Sequence, residues 1–108
     1  MQYKMKDLGY PRTPTTAELH VDMPDGATWA VPLQLIADSR DEHYKDDKED
    51  TIGFIKKESL DDYELCDWAA NNLNWEDVSE YARQIFMPPK MDFEDGWVNG
   101  YKEIAGTI

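Results

Sequence analysis

Apolar and polar residues alternate strictly between residues 15 and 23, and no other part of the chain is as regular. The apolar members of this alternation are Ala17, Leu19, Val21 and Met23. A period of two is typical of a strand with one buried face. The sequence Pro24-Asp25-Gly26 then supplies turn residues, and a second strand is expected through residues 28–31. We therefore expect an N-terminal β-hairpin, alone or within a small antiparallel sheet.

After the hairpin, apolar residues recur at helical spacing and predict three helices. The first runs from about Pro32 to about Tyr44, since proline suits the first turn; its extension into residues 45–50 stays open. The second runs from about Leu60 to Asn72 and follows the capping-box sequence that starts at Ser59. Gly53 interrupts the apolar residues of segment 51–57, which therefore stays ambiguous.

The third predicted helix starts at Asn74, with Asp77 three residues later as its capping partner. It is expected to end before Pro88-Pro89. Its apolar face would consist of Val78, Tyr81, Ala82, Ile85 and Phe86.

The two ends of the chain are less regular. Residues 1–14 contain two prolines and predict a partly extended segment, in which Tyr3, Met5 and Leu8 could form a short edge strand. Residues 92–108 fit either a helix that carries Phe93, Trp97 and Tyr101 on one face or a strand through residues 97–102. Gly96 and Gly100 weaken the helical alternative. At 108 residues we expect a single α+β domain, in which the hairpin packs against three to four helices.

The composition changes this picture through its charge. The chain has 23 acidic and 11 basic side chains and a formal charge of −12, while its apolar residues, 41% of the total, are enough for a folded core. Such a charge repels nucleic acid and anionic membranes and favours basic partners. No stretch approaches the roughly 20 apolar residues of a membrane span, and Cys66 is the only cysteine. A cytoplasmic protein is expected.

The negative charge is concentrated in the helical part of the chain. Residues 1–37 have a net charge of −1 (3 basic, 4 acidic), and the rest has −11 (8 basic, 19 acidic). Between Lys57 and Arg83 there is no basic residue. The eight acidic residues of this span, which we call the acidic face, are Glu58, Asp61, Asp62, Glu64, Asp67, Glu76, Asp77 and Glu80.

Three explanations of the acidic face are open: solubility, imitation of nucleic acid, and another kind of acidic interaction surface. Acidic residues keep a small protein soluble, and a run of charge is usually a solvated surface. Alternatively, Asp61, Glu64 and Asp67 share one side of the predicted helix, where regularly spaced carboxylates approach the charge spacing of a nucleic-acid strand. Such a surface would enter the basic groove of a nucleic-acid-binding protein.

Other candidate sites are weaker. His43 lies near Glu42, Asp46 and Asp47, but the following segment does not fit a calcium loop, and we predict neither a metal site nor a cofactor. Cys66 lies among carboxylates, which raise a thiol pKa, and no catalytic residue is predicted. The residues that bracket an asparagine-rich stretch are Trp68 and Trp75. They could form a stacking platform, but core packing and helix capping are favoured.

Residues 61–78 (DDYELCDWAANNLNWEDV) and 96–100 (GWVNG) resemble small acidic accessory proteins of tailed bacteriophages. The resemblance implies a protein made in the bacterial host cytoplasm, where inhibitors of host defence and of host nucleic-acid enzymes are common. It implies no particular functional residues.

The leading hypothesis is a non-enzymatic inhibitor whose acidic face occupies the nucleic-acid site of a basic host protein, such as a CRISPR or restriction component. One alternative is an interaction or scaffold module that binds a protein through exposed aromatics such as Trp29, Trp97 or Tyr101. Another is a small enzyme, which would need a pocket with two carboxylates or His43. Homo-oligomerisation is open.

Overall fold

Four antiparallel strands in the order β3-β2-β1-β4 form the sheet of the computed structural model, which describes residues 3–24, 26–44, 49–86 and 93–108. Within these residues, five α-helices and one 3₁₀ turn accompany the sheet. In chain order the elements are β1 (Glu18–Asp22), β2 (Thr28–Pro32), α1 (Leu33–His43), α2 (Thr51–Lys56), α3 (Asp62–Asn72), α4 (Trp75–Val78), the 3₁₀ turn (Ser79–Tyr81), β3 (Arg83–Phe86), α5 (Phe93–Asn99) and β4 (Lys102–Ala105). The predicted α+β class with an N-terminal hairpin is confirmed.

The hairpin is the centre of the sheet. β1 pairs with β2 in a register that places Leu19 opposite Val31 and Val21 opposite Trp29. The apolar residues of the alternation are all buried beneath the helices, as their period of two predicts. At the turn, Gly26 has a φ of 93°, a left-handed conformation that glycine adopts without a steric cost.

The first helices follow the sequence pattern with two differences. α1 has the predicted bounds to within one residue. Its extension into residues 45–50 was left open, and residues 45–48 lie outside the described part of the chain. The ambiguous segment is helical as α2, because the side chain of Asp50 caps it by accepting the Gly53 N–H at 3.1 Å. The cap of α3 is Asp61, which accepts the Glu64 N–H at 2.8 Å, and not Ser59 as predicted.

The helix predicted from Asn74 to Phe86 is wrong beyond its first turn. The capping box between Asn74 and Asp77 is present, but α4 ends at Val78 and residues 83–86 form β3, which pairs with β2. The open edge of β2 offers these residues backbone hydrogen bonds. The β-branched and aromatic side chains of Ile85 and Phe86 also favour a strand.

The C-terminal segment contains both of the elements that the sequence left open. Trp97 is on α5, but Tyr101 lies beyond the helix, and the strand begins at Lys102 rather than at Trp97. Gly100 makes this transition, because a Cβ atom there would collide with the backbone carbonyl of Asp22. The close approach lets the Asp22 N–H donate to the Tyr101 carbonyl at 2.8 Å.

The N-terminal segment has no strand or helix between residues 3 and 14, so the predicted edge strand is wrong. Side chains on α1 hold the segment instead of a neighbouring strand. Asp38 is fully buried and accepts hydrogen bonds from the Tyr3 hydroxyl (2.7 Å), the Lys6 N–H (2.9 Å) and the guanidinium of Arg12. The Arg12 side chain is itself only 3% exposed, so this is a buried ion pair.

Aromatic rings complete the core between the sheet and the helices. Trp75 makes edge contact with Trp29 at a centroid distance of 5.3 Å and lies 6.4 Å from Trp97. Trp97 is fully buried, and its indole N–H donates to the Leu73 carbonyl at 2.7 Å. Among the described residues, no helix has the length and apolarity needed to cross a bilayer.

Candidate acidic interaction surface

Every residue of the acidic face is exposed. No carboxylate of the acidic face forms an ion pair within the part of the chain that the structure describes. Asp61 and Asp77 have structural roles, since each accepts a backbone N–H at a helix start. The other six side chains accept no hydrogen bond from a described residue.

Carboxylates elsewhere in the chain are used differently. Asp38, Asp41 and Asp50 are buried and accept several hydrogen bonds each; Asp41, for example, accepts both the N–H and the hydroxyl of Thr51 at 2.7 Å. Glu18 pairs with Arg83 through two hydrogen bonds of 2.6 and 3.1 Å, which lower the pKa of this carboxyl. Apart from the caps Asp61 and Asp77, the acids of the acidic face make no such contact with a described residue.

Helix α3 arranges part of the acidic face as predicted. Glu64 and Asp67 are exposed on the side away from Leu65 and Ala69, which are fully buried. Three residues of helix advance about 4.5 Å along the axis, compared with about 3.4 Å between charges along one strand of duplex DNA. Trp68 lies between the two sides and is half-buried.

Helix starts account for other members of the acidic face. Asp62 and Glu64 lie in the first turn of α3, and Glu76 and Asp77 lie in the first turn of α4. The backbone dipole stabilises negative charge at these positions. Glu80 lies on the following 3₁₀ turn, so the acidic face extends over three elements rather than one continuous helix side.

Glu58 has an unusual backbone conformation, with a φ of 59°. It ends α2 in a Schellman arrangement, in which the Glu58 N–H donates to Ile55 at 3.0 Å and the Ser59 N–H donates to Phe54 at 2.9 Å. Glycine usually occupies this position. Because glycine is the sequence signal for such a turn, the pattern of the chain gave no indication of it.

Sequence reasoning also missed Tyr63, whose side chain is 78% exposed on α3. Three surface depressions meet at this residue. The first, of about 580 Å³, lies beside Glu58, Asp61 and Asp62; the second, of about 270 Å³, lies between α1 and α3; the third, of about 300 Å³, lies between α3 and the C-terminal end of α5. An aromatic residue between two acids at a polar helix position was the available signal.

Arg40 is a basic side chain on this surface, where it borders the depression between α1 and α3 together with Glu64 and Asp67. Its guanidinium donates to the Thr51 hydroxyl at 3.3 Å and lies 4.8 Å from the centre of the Tyr44 ring. It forms no ion pair with a described carboxylate. The negative charge of α3 is therefore not neutralised by this arginine.

The three aromatic residues expected to anchor a scaffold module differ in solvent exposure. Trp97 is fully buried and Trp29 is half-buried against the core, so neither is an exposed anchor. Tyr101 is 66% exposed. The core interpretation of Trp68 and Trp75 is confirmed. The side-chain amides of Asn71 and Asn72 donate to the carbonyls of Asp67 and Trp68, one turn back in α3, at 2.9 and 2.8 Å.

The chemically reactive groups of the described residues point to no particular reaction. The pKa of Cys66 is raised, as predicted, but burial is the main cause and Asp62 the lesser one. No group of described side chains could hold a metal ion; Asp46 and Asp47 lie outside the described residues. Three depressions contain two or more carboxylates: Glu64 and Asp67 line one, Glu58, Asp61 and Asp62 line another, and Glu49 and Asp50 line a third. Glu49 pairs with Lys57, and Asp50 caps α2.

No protein-family model matches the chain, and the comparisons with curated proteins and with solved structures also found no match.

Proposed function

We propose that the protein is a non-enzymatic acidic binding protein whose acidic face occupies the nucleic-acid-binding site of a basic host protein. The observation that supports this proposal is the set of exposed carboxylates between Lys57 and Arg83, none of which is paired with a described cation. A surface of one charge sign attracts a complementary partner over long range and fixes its orientation.

The resemblance to phage accessory proteins narrows the proposed target. A phage protein made in a bacterial cytoplasm meets host defence enzymes that hold DNA or RNA in basic grooves, such as CRISPR and restriction components. Occupying such a groove needs no catalytic residue, metal or cofactor in the inhibitor. It needs regularly spaced exposed carboxylates, and the support here is Glu64 and Asp67 on α3 together with Asp61 at its N-cap.

Capture of partners from a bacterial host lysate tests this proposal. A nucleic-acid-binding protein should be retained at low salt, released at high salt and displaced by added duplex DNA or RNA. The variant Glu64→Gln/Asp67→Asn should weaken that interaction. The control Glu42→Gln/Glu103→Gln changes the net charge equally at exposed positions outside the acidic face and should bind like the wild type.

Two results would contradict the proposal. One is a partner whose retention is indifferent to salt and to nucleic-acid competitors. The other is an equal loss of binding in the two charge variants, which would mean that net charge rather than this surface determines the interaction.

A further inference from the structure

The depression between α3 and the end of α5 combines features that the charge alone does not explain. Its floor and walls are formed by Tyr63, Cys66, Ala70, Val98 and Tyr101. Tyr63, Val98 and Tyr101 are 78%, 43% and 66% exposed, so no described part of the chain covers them. At about 300 Å³, the depression is at the lower limit of small-molecule pockets. We call it the tyrosine groove.

Carboxylates border the tyrosine groove. Asp67 lines it directly, and Asp62 is close enough to raise the pKa of the Cys66 thiol within it. Neither carboxylate is paired with a described cation. An apolar segment without positive charge would remove water from these carboxylates and give them no cation in return. This desolvation costs free energy.

The groove also contains one basic side chain, Lys102, whose ammonium is held by backbone carbonyls of the groove itself. Its ammonium donates to the carbonyls of Val98 and Gly100 at 3.2 and 3.1 Å and lies 5.7 Å from the centre of the Trp97 ring. Lysine beside the last carbonyls of a helix stabilises the helix end. Lys102 thus supports α5 and offsets part of the acidic charge, and the two carboxylates against one lysine keep the border net negative.

We infer that the tyrosine groove binds an apolar side chain from a basic segment of a protein partner, while Asp62 and Asp67 contact the basic residues beside it. The occupant follows from charge complementarity, because the basic residues of a cationic segment pair with the two carboxylates that no described cation pairs, while its apolar residues cover the two tyrosines. Buried aromatic anchors usually dominate the free energy of such interfaces. This inference rests on the proposed function and adds to it an apolar anchor that nucleic acid does not provide.

Peptide probes of defined composition test the groove. The first is a 15-residue amphipathic peptide of lysine and leucine; the second has serine in place of every leucine and the same charge. The full-length protein should bind the leucine peptide at least tenfold more tightly by fluorescence anisotropy. The same peptide should slow alkylation of Cys66, the only cysteine of the chain, because this thiol lines the groove.

Matched variants separate the apolar anchor from the charge. Tyr63→Ala/Tyr101→Ala leaves every charge in place and should lower the affinity for the leucine peptide at least fivefold. Phe86→Ala removes another exposed aromatic ring (62% exposed) at the opposite edge of the sheet and should change nothing. Circular dichroism of each variant checks that the fold is retained.

Equal affinity for the two peptides, unchanged affinity in the double tyrosine variant or unchanged Cys66 reactivity would overturn the groove proposal. Protection of Cys66 that rises with protein concentration alone would also overturn it, because a second copy would then be the occupant. If the charge variant Glu64→Gln/Glu76→Gln, whose two positions are exposed and lie outside the groove, loses the nucleic-acid-binding partner while the tyrosine variant keeps it, the proposed function stands and the groove proposal falls. The reverse result rejects the proposed function.

Discussion

Replacing Glu58 by glycine should stabilise the protein while removing one charge of the acidic face. The Schellman end of α2 requires a left-handed backbone at this position, and Glu58 adopts it with a φ of 59°. A residue with a Cβ atom is about 1–2 kcal/mol less favourable there than glycine. Glycine in turn gives the unfolded chain more conformational freedom, which costs about 0.4–1 kcal/mol.

The difference between these two effects predicts a net gain of about 0.5–1 kcal/mol in the free energy of unfolding for Glu58→Gly. For a chain of this size, that gain corresponds to an increase of roughly 2–8 °C in Tm. The matched variant Glu58→Gln removes the same charge but keeps the Cβ atom, and it should stay within about 0.5 kcal/mol of the wild type.

Urea unfolding followed by circular dichroism measures both variants, provided that their m-values agree. If Glu58→Gly is no more stable than Glu58→Gln, the left-handed backbone at residue 58 does not destabilise the protein as we infer. The same pair tests function, because both variants lack the same carboxylate. Equal loss of partner binding is expected, and a loss confined to the glycine variant would point to the backbone rather than to the charge.

Three further predictions concern the stability of the fold. Arg12→Met leaves Asp38 buried without its cation and should lower the free energy of unfolding by about 3–5 kcal/mol in urea titrations; a change below 1 kcal/mol would show that the pair is hydrated. For Asp41→Asn, the free energy of unfolding minus that of the wild type should be more positive at pH 7 than at pH 3. Burial raises the pKa of Asp41, so the folded state holds its proton more tightly and this group's contribution declines as the pH rises above 3.8; a pH-independent difference would contradict this. Gly100→Ala should cost more than about 2 kcal/mol, measured by Tm, because its Cβ atom collides with the backbone of β1, and a neutral effect would mean that the α5–β1 contact can relax.

The sequence predicted correctly the strand, the turn and the helix cap that depend only on residues close together in the chain. The alternation of β1, the turn at Gly26 and the capping box at Asn74 are determined by residues within a few positions of one another, and all are present. Ser59 failed as a cap for a local reason as well. Its N–H closes the end of α2, and the cap of α3 therefore shifts to Asp61.

Long-range pairing accounts for the elements that sequence reasoning missed. Residues 83–86 continue an apolar helical pattern after α4, but the open edge of β2 makes them a strand. Gly100 was read as a weakness in a helix, whereas it allows the end of α5 to approach Asp22. Neither effect can be recognised without knowing which segments are neighbours in space.

The candidate site was predictable in its charge but not in its organisation. Charge counting located the acidic face, since unpaired acids are almost always exposed. It did not show that Asp38, Asp41 and Asp50 would be buried in the fold, because a buried carboxylate and an exposed one look the same in a sequence. It also gave no reason to select Tyr63, whose importance comes from the depressions that meet around it.

Some acids of the acidic face have a structural role at a helix start, and others have none. The acids without such a role are better explained by the proposed binding function than by solubility. Caps and helix starts account for most members of the acidic face on α3 and α4. Asp67 lies in the interior of α3 with no described partner, and Glu58 holds a backbone conformation that glycine would adopt at lower cost. Solubility alone would be served as well by acids at unstrained positions, with lysines interspersed to reduce repulsion. Both residues border depressions that meet at Tyr63, and this part of the acidic face is therefore where a partner is expected to bind.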